Sequence, residues 1–223
     1  MSANTHPSVT HLDRPAMAAR VARDIPEGWC VNLGIGLPTL VGDHVPPESE
    51  IVFHSENGIL GMGPAPEEGQ GDPWLVNAGK QNVTLVKGAA LIHQTDSFAV
   101  IRGGHLDLCV LGAYEVAANG DLANWSTSGN DRMVAVGGAM DLAAGARRVW
   151  VMTEHTTKDG RPKLVERCTY PLTALQAVTR VYTNLAVIDV AACGFVVVEM
   201  VSGMTMDNLQ ACTGAKLHRT ASA

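Results

Sequence analysis

Four times in this chain an apolar run of strand length gives way to a turn built around glycine. Residues 29–33 lead into Gly34-Ile35-Gly36, and Ile51-Val52-Phe53 leads into His54-Ser55-Glu56-Asn57-Gly58. Residues 106–116 lead to Asn119-Gly120, and Val134-Ala135-Val136 leads to Gly137-Gly138. Glycine reaches backbone conformations that other residues adopt only at a cost, so each junction marks a strand leaving the core abruptly. Helical patterns interleave with these junctions, and no internal repeat or linker divides the chain. The result is one mixed α/β domain, expected over residues 13–217, with an N-terminal arm at 1–12 and a C-terminal tail at 218–223.

The punctuation between these runs fixes the expected elements. Asp13-Arg14-Pro15 reads as an N-cap with proline in the first helical turn, and Pro26 and Gly28 end that helix. Pro38 opens a second helix directly after Gly34-x-Gly36. A strand, a glycine turn and a helix start aim backbone N–H groups at an anion. Residues 62–71, rich in proline, glycine and glutamate, form a surface loop suited to act as a flap. Short strands follow at 75–80 and 83–86, then short apolar runs at 89–93 and 97–101. Arg102-Gly103-Gly104-His105 is a further glycine turn. Asn119-Gly120 predicts a hairpin between 106–116 and 121–125. Residues 126–132 read as a polar loop, and 134–136 as a strand before the Gly137-Gly138 turn. The segment 147–152 reads as a strand with 163–166 as its partner, 171–178 as a short helix, and 185–190 with 195–200 as a hairpin. A last helix, 206–212, has Thr205 as N-cap and Gly214 as its stop.

Composition narrows the function. With 46% hydrophobic and 17% charged residues, 223 residues suffice for a substantial core, and 4% aromatics make that core aliphatic. A net charge of −6 does not provide the basic stripe that a nucleic-acid surface needs. The five cysteines show no CxxC pair, so they read as small buried hydrophobes of a reducing compartment. No apolar run nears ~18 residues and the first 14 residues are polar, so no membrane span is expected and the cytoplasm is the expected location.

The motifs favour Glu56 as the reactive group, with a cysteine nucleophile the open alternative although no Cys sits in a polar glycine turn. No HxxxH or facial-triad spacing supports a metal, and GxSxG is absent. A dinucleotide site would place a ribose-binding acid near Glu56, but Thr39 stands where that fingerprint has its third glycine. Glu56 itself has two readings, a turn carboxylate capping local N–H groups or a nucleophile toward an already activated acyl group such as a thioester. In the second case a glycine turn would stabilise the oxyanion.

Phe53-His54-Ser55-Glu56-Asn57-Gly58-Ile59-Leu60-Gly61 resembles the signature of the B subunit of 3-oxoacid CoA-transferases, the family I coenzyme A transferases. Gly34-Ile35-Gly36-Leu37-Pro38, Asn77-Ala78-Gly79-Lys80, Arg102-Gly103-Gly104-His105, residues 120–125 and residues 137–142 extend the likeness from about Pro15 to Leu217. The resemblance implies an open α/β domain with flanking helices and β-hairpins. It implies a ping-pong transfer between carboxylic acids through a glutamyl-CoA thioester on Glu56, with coenzyme A as substrate and no permanently bound cofactor. Gly138 would contribute to the oxyanion hole. Gly34, Ile35, Gly36 and Lys80, with Gly103 and Gly104, would hold coenzyme A. A separate A subunit would complete the site. The stretch from Ser128 to Val134 departs from members acting on acetoacetate, and residues 135–143 look closer to the 3-oxoadipate enzymes, which favours 3-oxoadipate as acceptor. Glu115 stands where the family would have Gln.

Overall fold

The structure, a computed structural model, describes residues 9–128 and 135–219. Three expectations therefore lie wholly or partly outside it: residues 1–8 of the arm, the 129–134 stretch used for the acceptor, and the last four residues of the tail. Helix α1, Arg14–Asp24, starts where the Asp13 carboxylate accepts the Ala16 amide at 2.8 Å, with Pro15 in the first turn. Next come β1, Cys30–Leu33, a 3-10 helix, Leu37–His44, β2, Val52–Ser55, β3, Ile59–Met62, β4, Leu85–Leu91, and α2, Gln94–Arg102. Strands β5, Leu108–Leu111, β6, Glu115–Ala117, and β7, Leu122–Ala123, precede helix α3, Ala139–Gly145. The chain continues through β8, Val149–Met152, β9, Leu164–Val165, β10, Val178–Tyr182, β11, Ala186–Ala191, β12, Gly194–Met200, α4, Met206–Ala211, and β13, Leu217–Arg219.

Among the described residues ten strands form one sheet in the order β13-β12-β11-β10-β8-β5-β1-β2-β3-β4. The middle five, β10-β8-β5-β1-β2, run parallel; antiparallel pairings extend the sheet on both sides, and β13 closes one edge parallel to β12. Parallel strands need both faces covered. Helix α1 and the 3-10 helix cover one face, packing on Val31, Phe53, Val110, Trp150 and Tyr182. On the other, Ile101 of α2 and Leu142 of α3 pack on Cys109, Leu111, Val149 and Val181. A small sheet, β7-β6-β9, sits beside this layer.

The departures from the expected elements have local causes. The expected strand 106–116 breaks at Gly112, so that β5 joins the main sheet and β6 the small one. Residues 163–166 do not pair with β8. Instead β9 lies parallel to β6, with Val116 opposite Leu164. Residues 171–177 are not helical, because Thr173 and Ala174 give their amides to Leu122 and dock an extended segment on β7. Val178 then opens β10, a central strand. The runs at 89–93 and 97–101 divide between β4 and α2. Ala135 and Val136 form no strand. Residues 10 and 12 of the expected arm are tied to Ser202 and Asn184 through their amides, and β13 extends past residue 217.

Candidate active site

Parallel strands present their C-terminal ends as a common edge, where open α/β sheets bind ligands. Glu56 lies on this edge, one residue beyond β2. The turn that carries it closes with the Gly58 amide on Ser55 O at 2.9 Å, and Gly58 O accepts from the Ile92 amide at 2.9 Å. Gly58 has φ +115°, and a Cβ there would stand 2.2 Å from Ile92 O. Its glycine is therefore required twice, by conformation and by space. Asn57 keeps a negative φ; among the described non-glycine residues only Lys80 and Gln176 have a positive one. Its side chain donates instead to Val76 O at 2.7 Å, while Ser55 Oγ accepts from the Ala78 amide at 3.0 Å. Segment 76–80 is thereby clamped onto the Glu56 turn.

The carboxylate points toward the α2 and α3 layer. A Cβ added at Gly138, the N-cap of α3, would stand 3.1 Å from Glu56 Oε1 and 3.3 Å from Phe98 Cζ. Beneath Glu56 runs a polar row across three strands. Asn32 of β1 is in register with His54 of β2 on one side and Cys109 of β5 on the other. All three are buried, at 1%, 1% and 0% exposure. Burial raises the pKa of Glu56, opposed by a side-chain hydrogen bond from Asn32. Desolvation lowers the pKa of His54 to about 4, so its imidazole is neutral. The Cys109 thiol is held well up by complete burial and by the nearby Glu56 charge.

Several expected site residues converge here. Gly34 directly follows β1, beside Glu56's strand, and its missing Cβ leaves room for Leu111 Cδ2 at 2.9 Å and Val110 O at 3.0 Å. Gly36, at φ +92° and ψ −127°, turns the chain into the 3-10 helix, and Ile35 between them is 64% exposed. A Cβ on Gly79 would lie 3.7 Å from Ile35 Cγ2, so the Gly79 backbone approaches the Gly34–Gly36 loop, and the exposed Lys80, at φ +63°, follows it in the chain. Gly103 and Gly104 do not join them. They follow the C-terminus of α2, where Gly104 O accepts from Arg147 at the N-terminal end of the parallel strands. That end of the helix offers carbonyls rather than N–H groups. Glu115 is 7% exposed and accepts from Thr169 N, Thr169 Oγ1 and Tyr170 N. It anchors a loop.

Asn32, Ser97 and Phe98 are not marked by any sequence motif, although an Asn inside the apolar run 29–33 is a readable signal. The root of the expected flap is pinned by Gly63 and Thr84 and lines a cleft of ≈ 370 Å³ with Leu40, Phe53 and Val83. Phe53 belongs to the layer under α1, so this cleft opens on the face away from the Glu56 carboxylate. Among the described residues no group of His, Cys, Asp and Glu could hold a metal ion, and no helix is long and apolar enough to cross a membrane.

An open α/β sheet with a half-buried carboxylate on its C-terminal edge, facing a glycine at a helix start, is compatible with acyl-group chemistry. The coenzyme A transferase family model matches residues 14–211, and the chain belongs to that family. It is 54% identical over 206 residues to the B subunit of the 3-oxoadipate CoA-transferase of Acinetobacter baylyi, covering 92% of this chain and 95% of that protein. It is 46% identical over 203 residues to the B subunit of the succinyl-CoA:3-ketoacid coenzyme A transferase of Helicobacter pylori, covering 91% and 97%. Among solved structures, an acyl-CoA transferase of Escherichia coli O157:H7 superposes with a TM-score of 0.71 at 18% identity. That match covers 94% of this chain and 43% of the longer one, and it speaks for the fold.

Proposed function

We propose that this chain is the B subunit of a heteromeric transferase that moves coenzyme A from succinyl-CoA to a 3-oxo acid, with 3-oxoadipate as the acceptor. The observation that carries this is Glu56: a desolvated carboxylate on a rigid turn, in a chain of the coenzyme A transferase family. The acceptor follows from the higher identity to the 3-oxoadipate relative, 54% against 46%.

A carboxylate is a weak nucleophile, adequate when its target is a thioester. Ionised Glu56 attacks the acyl-CoA carbonyl, and the tetrahedral oxyanion expels the CoA thiolate to leave an acyl–glutamyl anhydride. The thiolate then attacks the glutamyl carbonyl, releases the first acid as its carboxylate, and leaves a glutamyl-CoA thioester. The 3-oxo acid carboxylate attacks that thioester, and the same two steps in reverse yield 3-oxoacyl-CoA and free Glu56. The Gly138 amide is the oxyanion donor in this scheme, supported by its closeness to the carboxylate. Lys80 and the Gly34–Gly36 loop, both on the edge that carries Glu56, hold coenzyme A in this scheme.

Both intermediates hydrolyse if water reaches them. In this chain Glu56 is only half-buried, and Ile35 and Met140 are exposed beside it at 64% and 50%. The edge strand β4 adds exposed Leu85, Val86 and Leu91. Apolar surface around an open site fits cover by another polypeptide, and the A subunit fills that role. Glu56→Ala in the A/B complex is expected to remove transferase activity on 3-oxoadipate and acetoacetate alike. Full retained activity would sink the assignment, and a preference for acetoacetate would correct the acceptor.

A further inference from the structure

The row beneath Glu56 is polar where its neighbours along the same strands are Val31, Phe53, Leu108 and Val110. Buried polar groups persist when each hydrogen has a partner, and here the partners fix one arrangement. The Cys109 thiol donates to Asn32 Oδ1 at 3.9 Å, which sets the amide oxygen on the β5 side. Asn32 Nδ2 then faces β2, 3.2 Å from both His54 O and His54 Nδ1. An amide nitrogen only donates, so His54 Nδ1 is the lone-pair nitrogen and the ring proton sits on Nε2. That proton goes to Ser97 Oγ at 2.8 Å, and Ser97, in the first turns of α2, is fully buried. Asn32 Nδ2 thus meets two acceptors on His54, the ring Nδ1 and the backbone O, and a hydrogen bond from the same side chain opposes the effect of burial on Glu56. Reversing the amide would set its oxygen against that carboxylate.

We propose that His54 is a positioning residue, which, held by Ser97, locks the Asn32 carboxamide with its nitrogen edge toward the strand that carries Glu56. This role rests on Glu56 being the reacting carboxylate. It keeps a donor on the oxygen that must stay ionised to attack, and Glu56 would otherwise be protonated more readily by its burial. A doubly protonated His54 would oppose the Asn32 N–H, and its burial keeps it neutral. Cys109, the other titratable group beside Asn32, stays a protonated donor for the same reason.

The test uses the A/B complex, mixed with acyl-CoA in single turnover, with the CoA adduct followed by intact mass across pH. His54→Leu removes the ring acceptor that fixes the Asn32 amide and leaves it only the backbone oxygen at position 54. Adduct formation is expected to slow roughly 10- to 100-fold, the range for losing a hydrogen bond to a charged group. The acid limb of the rate profile should move to higher pH, because Glu56 loses the donor that lowers its pKa. His54→Gln, which accepts through Oε1 and donates through Nε2, is expected to recover most of the rate and the limb. Ser97→Ala should move both in the same direction by less. An unmoved limb in His54→Leu, or His54→Gln impaired as badly as His54→Leu, overturns the proposal. If His54→Leu does not assemble, an unmoved limb in Ser97→Ala overturns it. A wild-type complex that forms no adduct overturns the Glu56 reading itself and this role with it, whereas a wild-type adduct matched by His54→Leu overturns this role alone.

Discussion

Burial disfavours the ionised form of Glu56, while nucleophilic attack requires it, and the residues around the carboxylate mediate between the two. Gly138 does so by absence. Its φ of −73° and ψ of −8° suit any residue, so Gly138→Ala is expected to fold with a melting midpoint near that of the wild type. The added Cβ would meet Glu56 Oε1 at 3.1 Å and Phe98 at 3.3 Å and displace the carboxylate. A fall of about 10²-fold in kcat/KM at unchanged stability is expected, and steady-state kinetics beside thermal melts will check it. The buried histidines carry a separate, pH-dependent consequence. His54 and His155, the latter between Thr183 and Thr213, both have pKa values lowered to about 4 from 6.5. The unfolded chain therefore binds protons that the fold refuses, and stability is complete above pH 6.5. It declines as pH falls from 6.5 toward 4, by at most about 3 kcal/mol per histidine. Urea midpoints measured over this window should fall, and should fall less in His155→Gln. A flat profile would show that these rings do not titrate as described.

The Glu56 turn is the element that carries the proposed nucleophile, and Gly58 is its fixed point. Gly58→Ala faces both a positive φ and a 2.2 Å approach to Ile92 O, and backbone atoms cannot step aside as a side chain does. A loss of about 3 kcal/mol or more is expected, read as a lower denaturation midpoint together with lost activity. At this scale the sequence was legible where a local chemical signal decides the structure. Asp13 caps α1, Thr205 caps α4 by accepting the Asn208 amide, and Asn119-Gly120 joins β6 to β7. It was illegible where distant partners decide. Residues 171–177 carry helix-like spacing, yet their amides are taken by Leu122, some fifty positions earlier in the chain. The partner of 163–166 is β6 because Val116 and Leu164 face each other in the small sheet, a pairing no turn announces. On the Glu56 edge, the Glu56 turn and the Gly34–Gly36 and Gly137–Gly138 turns stand out in the sequence as motifs, whereas the equally marked Gly103–Gly104 turn lies at the other end of the strands. Asn32, Ser97 and Phe98 do not stand out, since only the register of β1, β2 and β5 and the docking of α2 bring them under the carboxylate.

The whole sheet places Glu56, the Gly34–Gly36 loop and the Lys80 turn on one edge, and leaves apolar Ile35 and Met140 beside them uncovered. A second polypeptide over this edge accounts for both the exposure and the need to keep water out. The chain alone is therefore expected to show no transferase turnover, with activity rising saturably as A subunit is added, and size-exclusion chromatography following the complex. Full turnover by the isolated chain would contradict that division of the site. Beneath all of this lies one proposed chemical event, the conversion of Glu56 into the acyl group of a CoA thioester. Its most direct measurement is mass analysis of the A/B complex after exposure to acyl-CoA without an acceptor acid. The expected result is a CoA adduct on the peptide containing Glu56, lost on adding 3-oxoadipate and absent in Glu56→Ala. No adduct on this chain, or one that survives in Glu56→Ala, would contradict it.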